Sequence, residues 1–267
     1  MNKTGVIGAG QLGGVLARRL VASGHEVRVA NSRGRESLQQ FSRETGAHAS
    51  DIHDIANDVD ALIITIPLKN IPLLPKDIFN NLPPHTVVID ACNYVPLRDG
   101  EIKPIEDGMP ESAWVSEQLG VPVVKAFNNI SDTSLREKGR PRGDRQRVAL
   151  PVAADNDDQR SRAMQLVEAL GFDAFDAGTL RDAWRQQLGQ PAYCTDATLA
   201  QLPRLLGRAN AAKLTANRNK AMALMAKLPA NFPKQDLLRA ARFMAGLDMA
   251  RPASWLALGR LVRASLR

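Results

Sequence analysis

The sequence is poor in cysteine and has no long apolar run, and both absences exclude whole classes of protein. Its 267 residues include two cysteines, Cys92 and Cys194, whose separation gives neither a disulfide framework nor metal-ligand spacing. The longest apolar run, residues 61–68, is far shorter than the roughly 18–20 residues of a membrane-spanning helix. No apolar segment of the secretory type follows Met1. We therefore expect a reduced, cytoplasmic protein without a bound metal.

Acidic residues are almost missing from the last quarter of the chain. Residues 205–267 hold twelve lysines and arginines but only two acids, Asp236 and Asp248, so their net charge is +10, whereas the whole chain carries +7. Apolar residues recur there at helical spacing, which indicates amphipathic helices. We expect these helices to pack on the body of the protein or across a homodimer. Peripheral contact with an anionic membrane is the alternative, and we expect no nucleic-acid partner because no known motif accompanies the charge.

The first two thirds of the chain alternate β-branched runs with longer helical patterns, which is typical of an α/β fold with a mostly parallel sheet. A further strand is expected within 171–176, and the arginine-rich stretch 136–147 is predicted to be a solvated loop. The predicted strands are 4–7, 26–30, 61–66, 86–90, 121–125 and 147–152. The predicted helices are 11–23, 35–45, 69–80, 112–119 and 157–170.

These patterns divide the chain into three predicted parts. Residues 1–145 form a nucleotide-binding domain, 146–200 a small α/β region on the acceptor side, and 201–267 a basic helical extension. The change of charge at the last boundary supports that division, because pieces of opposite charge often have different partners.

The sharpest motif is a glycine-rich turn between the first predicted strand and helix. Gly8, Gly10 and Gly13 form the pattern G-x-G-x-x-G in the strand–turn–helix context that dinucleotide binding requires. The first glycine permits the tight turn, the second lets a pyrophosphate approach the backbone, and the third lets helix and strand pack closely. We predict that the whole turn binds the pyrophosphate, through Gly8, Ala9, Gly10, Gln11, Leu12 and Gly13.

The residues after the second predicted strand indicate which nucleotide binds. Sites that prefer NAD place an acid near this point for the ribose 2′-hydroxyl, but here the chain reads Asn31, Ser32, Arg33, Gly34, Arg35. A serine hydroxyl and guanidinium groups match a 2′-phosphate, which a carboxylate would repel. We therefore predict NADP(H), with contacts from Asn31, Ser32, Arg33 and Arg35.

Three later strand ends reach the same crevice, because ligands of open α/β sheets bind at the carboxyl ends of the strands. We predict cofactor contacts from Thr65, Ile66, Pro67, Asn93, Ala126 and Asn128. We place the hydride-transfer cleft at Pro67, Phe127 and Asn128, with no assured catalytic side chain. Cys92 is interpreted as a buried residue and Lys125 as a structural one.

The chain resembles the NADP oxidoreductase, coenzyme F420-dependent family, also called NADPH-dependent F420 reductases. In the same segments it is similar to the NADP-binding domain of STEAP-type metalloreductases. The segments that carry the resemblance are 6–13, 30–34, 90–94, 98–100, 124–130, 176–178 and 183–185. The resemblance implies a doubly wound Rossmann sheet, NADP binding and hydride transfer to F420 or a flavin. It also implies 2′-phosphate contacts from Ser32 and Arg33, and a basic tail outside the family's minimal pattern.

Two other functions stay open at this stage. A reductase of a small carbonyl or hydroxy acid would need a proton donor, for which Lys125, Tyr193 or a histidine is the candidate. A non-enzymatic NADP(H) sensor would use the basic tail to bind a partner. Hydride transfer to a flavin-like ring needs little from side chains beyond positioning, so it fits a cleft without an obvious acid.

Overall fold

The computed structural model describes residues 1–80 and 82–266, and its centre is a six-stranded parallel sheet. The strands of this sheet are β1 (Lys3–Ile7), β2 (Glu26–Ala30), β3 (His48–Ala49), β4 (Ala61–Ile64), β5 (Val87–Asp90) and β6 (Val124–Lys125). Their order is β3-β2-β1-β4-β5-β6, so the direction of winding reverses between β1 and β4. The predicted α/β fold with a doubly wound parallel sheet is confirmed.

Helices cover both faces of this sheet. The helices are α1 (Gln11–Ala22), α2 (Gln39–Thr45), α3 (Asp77–Asn80), α4 (Pro96–Asp99), α5 (Lys103–Glu106), α6 (Glu111–Leu119), α7 (Asp132–Glu137), α8 (Asp157–Ala169), α9 (Leu202–Gly207), α10 (Leu214–Ala226), α11 (Lys234–Met244) and α12 (Pro252–Ser265). Short 3-10 segments are Arg35–Leu38, Ile52–Asp54, Leu68–Leu73, Leu180–Gln186 and Ala211–Lys213.

The core has one apolar cluster on each side of the sheet. On one side Leu16 and Leu20 of α1 pack against the sheet together with Phe172, and all three are fully buried. On the other side Trp114 and Val115 of α6 pack against the sheet. Strands covered on both faces read as continuous apolar runs, which is why β4 and β5 were recognisable from sequence.

Two predicted elements are shorter in the structure because proline residues interrupt them. The predicted helix 69–80 is two short pieces, because Pro72 and Pro75 lie inside it and proline removes a backbone donor. The predicted strand 121–125 is reduced to β6, since Pro122 interrupts its beginning. The short strand β3 was not predicted, because two residues give no periodicity.

A second, two-stranded parallel sheet follows the main one. It consists of β7 (Ala149–Val152) and β8 (Asp173–Asp176), connected by α8. Lys125 and Ala153 form an antiparallel bridge between the two sheets. This unit shares the core cluster under α1 with the main sheet. The predicted boundary at residue 145 stays a prediction.

The predicted solvated loop 136–147 is wrong at both ends. Its first two residues belong to α7. At the other end Arg147 is 2% exposed, and its guanidinium lies 2.8 Å from a carboxylate oxygen of Glu168 and 3.2 Å from one of Asp173. The local sequence is rich in charge, but a buried ion pair depends on partners that come later in the chain.

The basic extension forms four helices, as its periodicity indicated. Leu202, Leu205 and Leu206 of α9 pack against Ala245 and Leu247, which follow α11. No helix within 1–80 and 82–266 is long and apolar enough to cross a membrane. The last basic residue of the predicted extension, Arg267, lies outside the described residues.

Candidate functional site

The glycine-rich turn lies at the reversal of the sheet, directly after β1. Gly8 has φ of +106° and its amide donates to the carbonyl oxygen of Ala30, 2.8 Å away. A Cβ at Gly13 would collide with the carbonyl oxygen of Gly8, so this position admits only glycine. A Cβ at Gly10 would meet no atom within 4 Å, which leaves open space beside the backbone there. The two outer glycines therefore shape the turn, and the middle one leaves room above it.

The turn opens α1, whose N-terminus is free to receive an anion. Gly10 is the N-cap, no side chain caps the helix, and its first turn holds no acid. Gln11 is exposed and Leu12 is half-buried at the beginning of this 12-residue helix. Backbone N–H groups and the positive end of the helix dipole therefore meet at a point where a phosphate can approach.

Thr65 supports the turn from the neighbouring strand end. Its hydroxyl lies 2.9 Å from the carbonyl oxygen of Gly8 and 3.1 Å from that of Ile7, and it donates to this pair. In this structure Thr65 positions the turn, and its predicted cofactor contact stays a prediction. Ile66 and Pro67 follow it, half-buried, at the carboxyl end of β4.

The loop after β2 is organised by one asparagine and leaves its cations unpaired. The side chain of Asn31 accepts from the Arg33 amide at 2.9 Å and lies 3.0 Å from the Ser37 hydroxyl. Ser32, Arg33 and Arg35 are exposed. Neither arginine forms an ion pair within the described part of the chain. Asn31 thus shapes the loop, while the groups suited to a 2′-phosphate face solvent.

Asn93 and Asn128 connect the carboxyl ends of β5 and β6 to each other. The Asn93 amide nitrogen donates to the backbone carbonyl of Asn128 at 3.0 Å, and the Asn128 amide lies 3.3 Å from the Asn93 side-chain oxygen. The Asn128 amide also donates to the carbonyl of Gln186 at 3.0 Å. The Asn128 side-chain oxygen is buried and accepts no hydrogen bond within the described residues.

The predicted cleft residue Phe127 has a different environment from the one expected. Its side chain is fully buried in the core cluster under α1, next to Ala126. Its backbone has φ of +62°, a conformation that is costly for a non-glycine residue and is typical of functional strand ends. Its side chain is therefore part of the core, and its place in the hydride-transfer cleft stays a prediction.

A cluster of buried charges lies directly beneath these strand ends. The ammonium of Lys125 donates to the Cys92 carbonyl at 2.6 Å and to the Asp90 carboxylate at 3.1 Å, and it lies 3.8 Å from Glu111. The same carboxylate oxygen of Asp90 accepts from the Ser112 hydroxyl at 2.6 Å. All of these side chains are buried. Sequence reasoning missed Asp90, Glu111 and Ser112 because their spacing in the chain shows no motif.

The pKa values of Glu111, Lys125 and Cys92 in this cluster are all raised, for different reasons. Burial raises the pKa of Glu111 to about 7, although the nearby Lys125 ammonium partly opposes the shift. Burial by itself would lower the pKa of Lys125, but the Asp90 and Glu111 carboxylates outweigh it and raise that pKa. Burial also raises the pKa of the Cys92 thiol well above its usual value, so Cys92 is neutral. These shifts describe a structural cluster in which the carboxyl of Glu111 titrates near neutral pH.

The candidate proton donors of a carbonyl reductase differ in access. Lys125 is fully buried and its ammonium is held by Asp90 and Cys92. Tyr193 is half-buried, and its burial raises the pKa of the phenol well above the usual value. Of these two, only Tyr193 has any access to solvent.

The basic extension is clamped to the body near the same strand ends. The guanidinium of Arg218, on α10, donates to both carboxylate oxygens of Glu106 at 2.7 Å and lies 4.9 Å from the ring centre of Tyr94. The Tyr94 hydroxyl donates to Glu106 at 2.9 Å. Gly189 contacts the backbone of α10 so closely that a Cβ there would lie 2.5 Å from the Arg218 amide nitrogen. No local sequence pattern signals this clamp, since its partners are far apart in the chain.

Comparisons with known proteins agree with this geometry. Residues 3–94 match the family described as NADP oxidoreductase, coenzyme F420-dependent. Over 56 residues the chain is 41% identical to YjhV of Escherichia coli, a match that covers 21% of this chain and 41% of that protein. The chain thus matches less than half of the length of this curated relative.

Two solved structures share the fold over most of the body. The hypothetical protein SMa0349 of Sinorhizobium meliloti is 28% identical with a TM-score of 0.60, and the match covers 72% of this chain and 93% of that one. A proposed F420-dependent NADP reductase from Arthrobacter sp. FB24 is 19% identical with a TM-score of 0.58, over 68% and 87% of the two chains. Residues 3–94 of the chain are therefore similar to the NADP oxidoreductase, coenzyme F420-dependent family.

Proposed function

We propose that this chain transfers a hydride between NADPH and a flavin-like or deazaflavin acceptor of the F420 type. The observation that carries the proposal is the loop after β2, where Ser32, Arg33 and Arg35 are exposed and the two guanidinium groups are unpaired within the described residues. A 2′-phosphate is the group on a dinucleotide that such a loop would recognise.

The residues of the first strand–helix unit fit the dinucleotide. The open space beside Gly10 and the uncapped N-terminus of α1 would receive the pyrophosphate. When bound, NADPH supplies the hydride from its nicotinamide ring. Ile66 and Pro67 would wall the nicotinamide, and half-buried Asn93, which hydrogen-bonds Asn128, would meet its carboxamide. These proposed contacts would fix the position of the nicotinamide ring.

The side chains at the strand ends favour a hydride acceptor that needs no proton donor from the protein. Lys125 is fully buried, and its ammonium donates to Asp90 and Cys92, so it serves the strand ends rather than a substrate. The chain's task is then to hold the two rings at reacting distance and exclude water. That matches hydride transfer between rings that provide their own electronics.

A reductase of small carbonyl compounds is the second candidate. Tyr193 favours it, because this phenol is half-buried and its raised pKa keeps the proton on oxygen at neutral pH. A protonated phenol in a cleft can donate to a developing alkoxide. We place this candidate second because the hydroxyl of Thr195, two residues after Tyr193, donates to the Ala192 carbonyl rather than pointing to a substrate.

The acceptor is tested by following NADPH oxidation at 340 nm with F420, FMN, FAD, ferric chelates and small carbonyls. We expect turnover with F420 or a flavin above the rate without protein. Turnover with carbonyl compounds alone, abolished by Tyr193→Phe, would establish the second candidate instead. NADPH binding without turnover of any acceptor would support an NADP(H) sensor.

The nucleotide is tested by the variant Arg33→Gln. Loss of one charge-assisted contact is worth roughly 1.5–3 kcal/mol, so KM for NADPH should rise roughly 10- to 100-fold while KM for NADH changes little. Arg43→Gln is the matched control, because Arg43 is an exposed arginine on the adjacent α2. Equal effects of both variants, or equal use of NADH by the wild type, would refute the 2′-phosphate assignment.

A further inference from the structure

The last helix, α12, has a buried face and an exposed apolar face. Ser254, Ala257 and Leu261 are buried in the α11–α12 pair. On the opposite side the exposed residues are Trp255 (57%), Leu256 (63%), Val262 (49%) and Leu266 (82%). At 100° per residue the exposed set spans an arc of about 120°. A contiguous apolar surface of this kind marks an interaction site.

Gly259 lies in the middle of this exposed face. A Cβ at Gly259 would meet nothing within 4 Å, so the fold of one chain has no steric need for glycine here. Glycine inside a helix costs about 1 kcal/mol relative to alanine. A glycine at the centre of an apolar face instead allows the backbone of another helix to approach closely.

The pattern around Gly259 is complementary to itself. Trp255 lies four residues before Gly259 and Arg263 four residues after it, while Leu256 and Val262 lie three residues to either side. Two copies of α12 that cross antiparallel at Gly259 would place Arg263 of each over Trp255 of the other, and Leu256 against Val262. A guanidinium over an indole ring is a favourable pair, and contacts repeated about a two-fold axis form an isologous interface.

Contacts within the chain fix the orientation of the Trp255 side chain on the exposed face. Its indole nitrogen donates to the Met249 carbonyl at 2.9 Å, and its ring meets Phe243 edge-on with the centroids 4.5 Å apart. An exposed tryptophan fixed in one orientation loses little conformational entropy on binding. Aromatic anchors of this kind dominate binding energy at protein interfaces.

The charges on α12 favour a protein partner over a lipid surface. Arg260 donates to Asp236 at 2.9 Å and Arg251 lies 3.4 Å from Asp248, so these two cations are already paired. Arg263 is the cation of the exposed face that forms no ion pair within the described residues. A face that binds an anionic membrane would present several free cations around its apolar stripe.

We propose that the exposed face of α12 binds a second copy of this chain, with the two-fold axis at Gly259. The proposal does not depend on the hydride acceptor, because every residue in it lies in the extension. It assigns to the end of the basic extension a role in assembly.

Sedimentation equilibrium of the full chain tests the proposal. We expect a dimer for the wild type and at least a roughly tenfold weaker association for Gly259→Gln, because a long side chain would separate the two helices. Gly207→Gln is the matched control, since Gly207 ends α9 on the surface and a Cβ there also meets nothing within 4 Å. Val262→Gln should weaken association as well, and its exposed site leaves the fold intact.

Cross-linking locates the axis. Gly259→Cys should form a disulfide-linked dimer under mild oxidation, because two residues on the axis meet each other, whereas Gly207→Cys should not. A monomeric wild type, or a dimer that Gly259→Gln does not weaken, would overturn the proposal. Flotation of a monomeric wild type with phosphatidylglycerol vesicles would assign the face to a membrane instead, which would also overturn it.

Discussion

At the residue scale, the most informative group is the buried cluster of Lys125, Asp90 and Glu111. A buried ion pair is weak support for stability, because desolvation offsets most of the attraction. Its effect here is positional: the Lys125 ammonium holds the Cys92 carbonyl, one residue before Asn93, and so fixes the strand end from which Asn93 reaches Asn128. The cost of this arrangement falls on Glu111, one of whose carboxylate oxygens is buried without a hydrogen-bond partner.

The raised pKa of Glu111 predicts a pH dependence of stability. The folded chain keeps this proton up to about pH 7, whereas the unfolded chain releases it near its ordinary pKa. Stability therefore falls as the pH rises through this window and levels off above it. Glu111→Gln should remove this fall. Between pH 4.5 and 7.5 the free energy of unfolding of the variant should therefore rise by roughly 3 kcal/mol relative to that of the wild type. Urea unfolding at several pH values measures the difference.

Glu117→Gln controls for the loss of a carboxylate, because Glu117 is an exposed residue of the same helix α6. Its unfolding free energy should follow that of the wild type at every pH. If Glu111→Gln also ran parallel to the wild type, the carboxyl of Glu111 would not be the buried titrating group.

At the scale of elements, the glycines of the strand–turn–helix unit β1–α1 have two different roles. Some are needed for the fold, and one is needed for binding. Gly8 and Gly13 are required by the shape of the turn, whereas Gly10 has φ of −75° and open space beside it. A side chain at Gly10 would thus be tolerated by the free protein and would stand where a pyrophosphate approaches. The two requirements are indistinguishable in the sequence pattern.

Gly10→Ala should therefore fold normally but bind NADPH more weakly. We expect the unfolding free energy to be unchanged or raised by up to about 1 kcal/mol, because alanine restricts the unfolded chain. The Kd for NADPH should rise by roughly tenfold or more. Fluorescence titration and urea unfolding measure the two effects. Gly207→Ala is the control, and a Gly10→Ala protein that binds NADPH as tightly as the wild type would contradict the pyrophosphate assignment.

At the scale of the whole molecule, the basic extension is part of the packed structure. Arg218 joins α10 to Glu106, and a guanidinium nitrogen of Arg242 on α11 donates to the Thr195 and Asp196 carbonyls at 2.7 and 2.8 Å. These contacts place the extension over the strand end that holds Tyr94. Loss of the clamp should therefore release the extension without disturbing the glycine-rich turn.

Arg218→Ala tests this prediction. Truncation leaves the Glu106 carboxylate without its charged partner, and because that carboxylate is partly solvated we expect a loss of about 2–4 kcal/mol in stability. Limited proteolysis should cut within residues 209–234 at least several-fold faster than in the wild type. Arg204→Ala, at an exposed arginine of α9, should leave the digestion unchanged. Equal digestion of Arg218→Ala and the wild type would show that the clamp does not hold the extension.

Much of the fold and the nucleotide-binding half of the site could be predicted because their signals are local. The apolar runs of β4 and β5, the glycines at 8, 10 and 13, and the Ser32–Arg33 pair each lie within a few consecutive residues. Backbone conformation, burial of a strand and the charge of a short loop are all properties of neighbours in sequence. These features therefore identified the α/β fold and the similarity of residues 3–94 to a family.

The sequence alone thus determined the sheet and the glycine-rich turn, and it carries the similarity of residues 3–94 to the family. Only the tertiary structure decided that Thr65 supports the turn, that Lys125 is held between Asp90 and Glu111, and that Arg218 clamps the extension. Each of these contacts joins residues that are separated in the chain by between about fourteen and more than a hundred positions. Their energies depend on burial and on partners that chain folding brings together, so no local pattern could reveal them.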